Sequence, residues 1–222
     1  MDGWTFADRA DAGRRLAARL SAYAARDDVV VLALPRGGVP VGYEVAHALG
    51  APLDVLVVRK LGVPGHEELA MGAVAGGGIR VLDAGVVGSL RIPPQAIDRA
   101  AAAGRAEVER RERSYRGARP APEVRGKTVL LVDDGIATGS TVRAAIAALR
   151  QASPARIVVA VPVAPAVTCR ALRQVADEVV CVREPEEMWA VGNWYRSFPQ
   201  TPDSEVHALL ARSLAAAAQP AA

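Results

Sequence analysis

Two adjacent carboxylates, Asp133 and Asp134, follow the apolar run VLLV and precede the small-residue stretch GIATGST, residues 135 to 141. A buried strand gains nothing by ending on paired negative charges. A site that holds hydroxyl groups or a hydrated cation has a use for both. The residues that follow suit an anion. Glycines at 135 and 139 permit backbone angles that a side chain forbids, and successive N–H groups of a tight loop can converge on one oxyanion. Thr138, Ser140 and Thr141 add hydroxyl donors where a helix begins and its dipole favours negative charge. Vicinal hydroxyls beside a phosphate, the polar parts of a phosphorylated sugar, would engage every one of these residue types. A plain aspartate turn with a Ser/Thr helix cap explains one acid and one hydroxyl, and leaves the rest of the cluster without a reason.

The elements that must hold this turn are legible from hydropathy. DVVVLAL (28 to 34), DVLVVR (54 to 59), KTVLLVD (127 to 133), RIVVAVPV (156 to 163) and EVVCV (178 to 182) read as buried strands. Helices are expected over 6 to 24 with Thr5 as cap, after Pro40 up to Gly50, over 94 to 116, over 140 to 151, through CRALRQVA, and over about 204 to 214. ELAMGAVAGGGIRVLD reads as two short strands around Gly76 to Gly78. The acids and bases of 94 to 116 stand three and four residues apart, the pattern of a solvated helix face. Apolar strands alternating with helices imply an α/β fold: a central, mostly parallel sheet flanked by helices, with ligands at the carboxyl ends of its strands.

Composition narrows the classes. The 222 residues fit one domain, with 27 Lys and Arg against 24 Asp and Glu and a net charge of +3. The arginines are scattered among acids and form no basic stripe, so no nucleic-acid partner is expected. Cys169 and Cys181 have no metal-ligand spacing and read as packed thiols of a reducing compartment. No apolar run is long enough for a bilayer, which gives an expectation of a cytoplasmic protein without a membrane partner. APEVRGKT, residues 121 to 128, half-matches a P-loop, but its GKT precedes a strand instead of following one, and that reading is rejected.

The stretch VLLVDDGIATGST resembles the signature of the type I phosphoribosyltransferases. These bind phosphoribosyl pyrophosphate (PRPP) and exchange its pyrophosphate for a nitrogenous base. The resemblance spans most of residues 28 to 195 and implies a single domain: a core over about 28 to 182, a helical insertion at about 94 to 116, and a small hood from about 1 to 25 and 183 to 215. It implies that Asp133 and Asp134 bind the ribose hydroxyls and that Ala137, Thr138, Gly139, Ser140 and Thr141 hold the 5′-phosphate. LPRGGVPVG, residues 34 to 42, sits where the family carries its pyrophosphate loop, so Arg36, Gly37 and Gly38 would meet that anion. By itself the segment reads as a glycine-rich turn. VVRKLGVPGHEELAMG resembles the family's second strand and mobile catalytic loop. Arg59 and Lys60 would then meet the pyrophosphate, Leu61 to Glu68 would close over the reaction centre, and His66 would reach in from that loop or stay solvated on it. Arg59, Lys60 and Asp134 are the catalytic candidates.

Departures from the family's hypoxanthine/guanine branch are specific. That branch has an aspartate where Ala137 stands, which argues against 6-oxopurine substrates. MWAVGNWY resembles its base-stacking segment, placing Trp189, with Val191 beside it, at the base. Trp189, Trp194, Tyr195 and Phe198 read equally as a satellite hydrophobic cluster. The resemblance implies Mg²⁺ carried with PRPP and held by substrate oxygens and water, without a confident protein ligand. It further implies a nitrogenous acceptor and, by analogy, a homodimer. A PRPP-binding regulator without chemistry is the alternative. A metal-dependent hydrolase or phosphotransferase would need more acids at neighbouring strand ends, where Pro35, Arg59 and Pro162 stand.

Overall fold

The computed structural model describes residues 5–217. In chain order the elements are α1 (Arg9–Arg19), β1 (Val29–Ala33), α2 (Gly38–Leu49), β2 (Leu53–Val55), β3 (Val58–Val63), β4 (His66–Ala75), β5 (Arg80–Leu82), α3 (Ala84–Ser89), α4 (Pro94–Arg116), β6 (Thr128–Val132), α5 (Ser140–Gln151), β7 (Arg156–Val163), α6 (Ala166–Leu172), β8 (Glu178–Arg183) and α7 (Asp203–Ala217). Five strands form one parallel sheet in the order β2-β1-β6-β7-β8, and β3, β4 and β5 form a separate antiparallel sheet.

The continuous apolar strands are buried on both faces because helices cover both. Alternate residues go to opposite sides. Val29, Val31, Leu130, Val132 and Val158 pack with Leu16 and Leu20 of α1, Val45 and Leu49 of α2, and Val206 and Leu210 of α7. Val30, Leu32, Val129, Leu131, Ile157 and Val159 face Ile146 and Leu149 of α5 and Leu172 of α6. Cys169 is buried in this second layer with Cys181 packed against it, and neither is in a disulfide.

Several boundaries differ from the sequence expectation, each for a local reason. Residues 54 to 59 are not one strand: Leu53–Val55 pairs with β1, and the chain then leaves for the antiparallel sheet at Val58. Leu61 to Glu68 is no open loop. It forms the end of the β3–β4 hairpin, turning at Pro64 and Gly65, the latter at φ +79°. α1 is shorter than 6 to 24, and its cap is Asp8, not Thr5; the Asp8 carboxylate accepts from the Asp11 amide at 2.8 Å. The two terminal segments meet where Phe6 bridges Tyr195, the Arg196 amide donating to the Phe6 carbonyl at 2.8 Å. α1 covers the parallel sheet as part of the main core, and α7 packs beside it on α2. The antiparallel sheet is the smaller unit that stands apart from the parallel one.

α4 spans the expected residues, but its face is not wholly solvated. Ile97, Ala101, Gly104, Val108, Tyr115 and Arg116 are buried. The helix lies against β3 and β4, so close at Gly104 that an added Cβ would stand 2.8 Å from Val74 Cγ2. Its last residue, Arg116, donates through Nε to both oxygens of Asp54 at 3.0 and 2.9 Å, fixing α4 to the edge strand of the main sheet. No helix among the described residues is long and apolar enough to cross a membrane.

Candidate active site

The turn between β6 and α5 lies at the carboxyl end of the central strand, flanked by β1 and β7. The Asp133 carboxylate accepts from the Asp134 amide at 2.9 Å, which folds the pair back on itself. Gly135 is needed because a side chain there would meet Val191 Cγ1 at 2.5 Å. Gly139 adopts φ +76° immediately before α5, a conformation glycine accepts without steric cost. Thr168 donates from its hydroxyl to the Ala137 carbonyl at 2.8 Å and pins the loop from α6. The amides of Ala137, Thr138 and Gly139 have no hydrogen-bond acceptor among the described residues. Thr138 and Ser140 hydroxyls lie 3.1 Å apart beside them. Unused amides, hydroxyls and a helix N-terminus at one place make a site for an oxyanion.

The loop after β1 closes against this turn. The Pro35–Arg36 peptide is cis. Gly37 touches the second carboxylate so closely that a Cβ would stand 2.0 Å from Asp134 Oδ2, and a Cβ on Gly38 would stand 2.8 Å from the Val132 carbonyl. The amides of the loop are not equivalent. Gly38 donates to the Leu34 carbonyl at 3.1 Å and is already committed to α2, whereas those of Arg36 and Gly37 have no acceptor among the described residues.

One residue of the site gave no signal in the sequence. Arg9, in the first turn of α1, donates through Nε to Asp134 Oδ2 at 2.8 Å and through Nη1 to the Pro199 carbonyl at 2.6 Å. Its guanidinium lies 3.8 Å from the centre of the Phe198 ring. The pair is enclosed, with side-chain exposures of 11% and 15%. From the same segment the Tyr195 hydroxyl donates to the Asp134 carbonyl at 2.5 Å. Burial pushes the Asp133 carboxyl well above the usual carboxylate range, and the charge of Asp134 pushes it in the same direction. Burial also raises Asp134, while the Arg9 guanidinium pulls it back. Hydroxyl ligands suit such a pair, because a hydroxyl can meet a carboxyl in either protonation state.

The proposed pyrophosphate cations are not gathered at one spot. Neighbouring residues of a strand point to opposite faces. Lys60 borders a cavity of about 410 Å³ with Thr138, Ser140 and Arg143, on the side of the 5′-phosphate cradle. Arg59 borders a groove beside α4 with Pro64 and Gly104, where Lys60 also reaches, and Arg36 borders a third cavity. His66 is exposed where the hairpin turns. Among the aromatics, Tyr195 packs with Phe6, and Trp194, Phe198 and Val191 lie against them, so the satellite cluster exists. Trp189 is outside it and 91% exposed, leaving its ring face open.

Comparison with known proteins places the chain in a family. The profile of the phosphoribosyl transferase domain matches residues 6–195. Two Mycobacterium tuberculosis proteins, from strains CDC 1551/Oshkosh and ATCC 25618/H37Rv, are provisionally named phosphoribosyl transferases. Each is 47% identical over 208 residues, covering 94% of this chain and 47% of the relative. The chain thus spans about half the length of these curated relatives. The crystal structure of TT1426 from Thermus thermophilus is 42% identical, with a TM-score of 0.85 over 94% of this chain and 98% of that one. The chain belongs to the phosphoribosyl transferase family.

Proposed function

We propose that the protein transfers the phosphoribosyl group of PRPP to a nitrogenous acceptor. The observation that carries this is a single turn joining two enclosed carboxylates to a cradle of unused amides. Asp133 and Asp134 accept hydrogen bonds from the ribose 2′- and 3′-hydroxyls. The amides of Ala137, Thr138 and Gly139, with the hydroxyls of Thr138, Ser140 and Thr141, hold the 5′-phosphate, and Lys60 adds positive charge on that side. Arg36 and the amides of Arg36 and Gly37 face the pyrophosphate. Gly38 keeps the loop close rather than donating, because its amide is taken. Arg59 and His66 reach the pyrophosphate only if the β3–β4 hairpin moves, which is the role proposed for residues 61 to 68. Trp189 offers a stacking face to the acceptor ring, beside Val191.

In the reaction a nitrogen lone pair of the acceptor forms a bond to the anomeric carbon. The bond to pyrophosphate breaks with its electron pair on the leaving oxygen, and the acceptor proton passes to solvent. Fixed donors placed where that negative charge collects lower the barrier. Among the described residues no group of three or more His, Cys, Asp or Glu is placed to hold a metal. Mg²⁺ would be carried by the substrate's own oxygens and by water, with Asp133 and Asp134 as hard oxygen neighbours, and would offset charge on the pyrophosphate.

A panel of purines, pyrimidines and other nitrogen acceptors, incubated with the protein, Mg²⁺ and PRPP, tests this by pyrophosphate release. Release with one acceptor class is expected. The separation of Arg36 from Arg59 and Lys60, which share a groove beside α4, favours a second reading, a PRPP-binding regulator. Tight PRPP binding with no release for any acceptor would select it.

Arg9 supplies a further expectation. Since Arg9 opposes the burial that raises Asp134, Arg9→Ala leaves that carboxyl protonated up to a higher pH. The fall in PRPP affinity on acidification should therefore move to higher pH in the variant, read by calorimetric titration across a pH series. An identical pH profile in both proteins would remove Arg9 from the site's electrostatics.

A further inference from the structure

We propose that α4 gives the protein a second anion site, which takes a phosphate or diphosphate group beside the loop after β1. A cavity of about 170 Å³ is lined by Arg36, Arg110, Arg111, Ser114, Tyr115 and Asp203. Its walls come from three separate parts of the chain: the loop after β1, the last turns of α4 and the first residue of α7. Pockets for drug-sized ligands begin near ~300 Å³, so this one fits a small ion instead.

The charge balance is positive. Asp203 is the one carboxylate in the lining, and the Tyr115 hydroxyl donates to it at 2.8 Å. One turn back, Glu107 accepts from Arg110 Nε and Nη2 at 2.8 and 2.9 Å and from Arg111 Nε at 2.9 Å. Two guanidiniums thus share one acid. Arg111 keeps both terminal nitrogens free of any hydrogen bond among the described residues, and that is the edge which grips an oxyanion in bidentate fashion. Arg36 is partly buried and has no ion pair or side-chain hydrogen bond among the described residues. The Ser114 hydroxyl is one more donor on the wall.

Arginines in the last turns of a helix are ordinary partners of its negative end. That explains Arg113 and Arg116, which complete the last turn. It does not explain why an unpaired arginine from a different element meets Arg110 and Arg111 across a hollow. Three guanidiniums outnumber the two carboxylates, Glu107 and Asp203, and the excess positive charge, with the free edge of Arg111 and the Ser114 hydroxyl, suits an oxyanion such as phosphate. The inference rests on the transferase reading only for the identity of the neighbouring loop. Two sources of the anion share this chemistry: the diphosphate arm of PRPP, and free phosphate or pyrophosphate.

Calorimetric titration with inorganic pyrophosphate, inorganic phosphate, ribose 5-phosphate and Mg-PRPP tests the site in wild type and in Arg110→Gln/Arg111→Gln. Both arginines are exposed, so the double variant should melt at the wild-type temperature. Its pyrophosphate affinity should fall by about tenfold or more, with ribose 5-phosphate unaffected. Phosphate displaced by PRPP would identify the site as the seat of the diphosphate arm. Phosphate bound together with PRPP would identify it as the seat of a free anion. Should the double variant melt low, Ser114→Asp carries the test, since a negative charge on the wall must produce the same loss. Pyrophosphate and PRPP affinities within about twofold of wild type in the variants would overturn the proposal. Arginine-dependent pyrophosphate binding in a protein that does not bind ribose 5-phosphate would sink the transferase reading and leave this site standing.

Discussion

Asp133→Asn is expected to melt higher than the wild-type protein and, at the same time, to lose most of its stabilisation by Mg-PRPP. The two effects have one cause. The carboxyl is half-buried beside Asp134, and burial followed by that neighbouring charge raises its pKa well above the ordinary value. The sign follows from linkage. A carboxyl whose folded pKa exceeds its unfolded value binds more protons when folded, so stability falls as pH rises through the interval between the two values. Ionising that carboxyl therefore costs the folded protein stability. Asparagine removes that charge, and its side-chain oxygen can still accept from the Asp134 amide. A gain of about 1 kcal/mol would raise the melting temperature by about 2–4 °C in a domain of this size. The same substitution replaces a charge-assisted hydrogen bond to the ribose by a neutral one, which should weaken PRPP by about 10- to 100-fold. Thermal melts with and without Mg-PRPP read both. A lower melting point with an intact ligand response would contradict the placement of Asp133.

Asp54→Ala should be the most damaging single change to stability. Asp54 and Arg116 are both nearly inaccessible, with side-chain exposures of 8% and 7%. Arg116 also donates to Glu112 at 2.8 Å and to the Val55 carbonyl at 2.5 Å. Removing Asp54 leaves the buried guanidinium with Glu112 and the Val55 carbonyl but with its Nε unpaired, a loss of about 3 kcal/mol. Urea unfolding measures it. The double replacement Asp54→Leu/Arg116→Met should recover most of the loss, because a buried pair exchanged for apolar side chains of like volume is close to neutral. A loss below about 1 kcal/mol in the single variant would mean that water reaches the pair.

The parallel sheet and the turn after β6 were legible in the sequence because their signals are local. A strand buried on both faces must be apolar at every position, and the bounds of α5 follow from the Gly139–Ser140 start. Where competing constraints are distant, the sequence was silent. Residues 55 to 58 are apolar for two reasons at once, Val55 pairing with β1 and Val58 with β4, and a hydropathy run cannot show the change of partner. The Leu61 to Glu68 segment reads as a loop from its glycines and proline, yet the β-bulge at Gly62 keeps it paired. Arg9 contacts a carboxylate 125 residues away in the chain, and nothing in FADRADAGRR distinguishes it from Arg14 or Arg15. The buried face of α4 was obscured by alanines, which tolerate either environment, and by a glycine whose role is close approach to Val74.

The turn's capacity to grip a phosphorylated pentose is tested most directly by calorimetric comparison of ribose 5-phosphate, 2-deoxyribose 5-phosphate and inorganic phosphate. Ribose 5-phosphate should bind more tightly than inorganic phosphate, and loss of the 2′-hydroxyl should weaken it by about tenfold or more, since an enclosed carboxylate is left without its partner. Equal affinity for the two sugars, or no gain over inorganic phosphate, would contradict the assignment of Asp133 and Asp134 to the ribose.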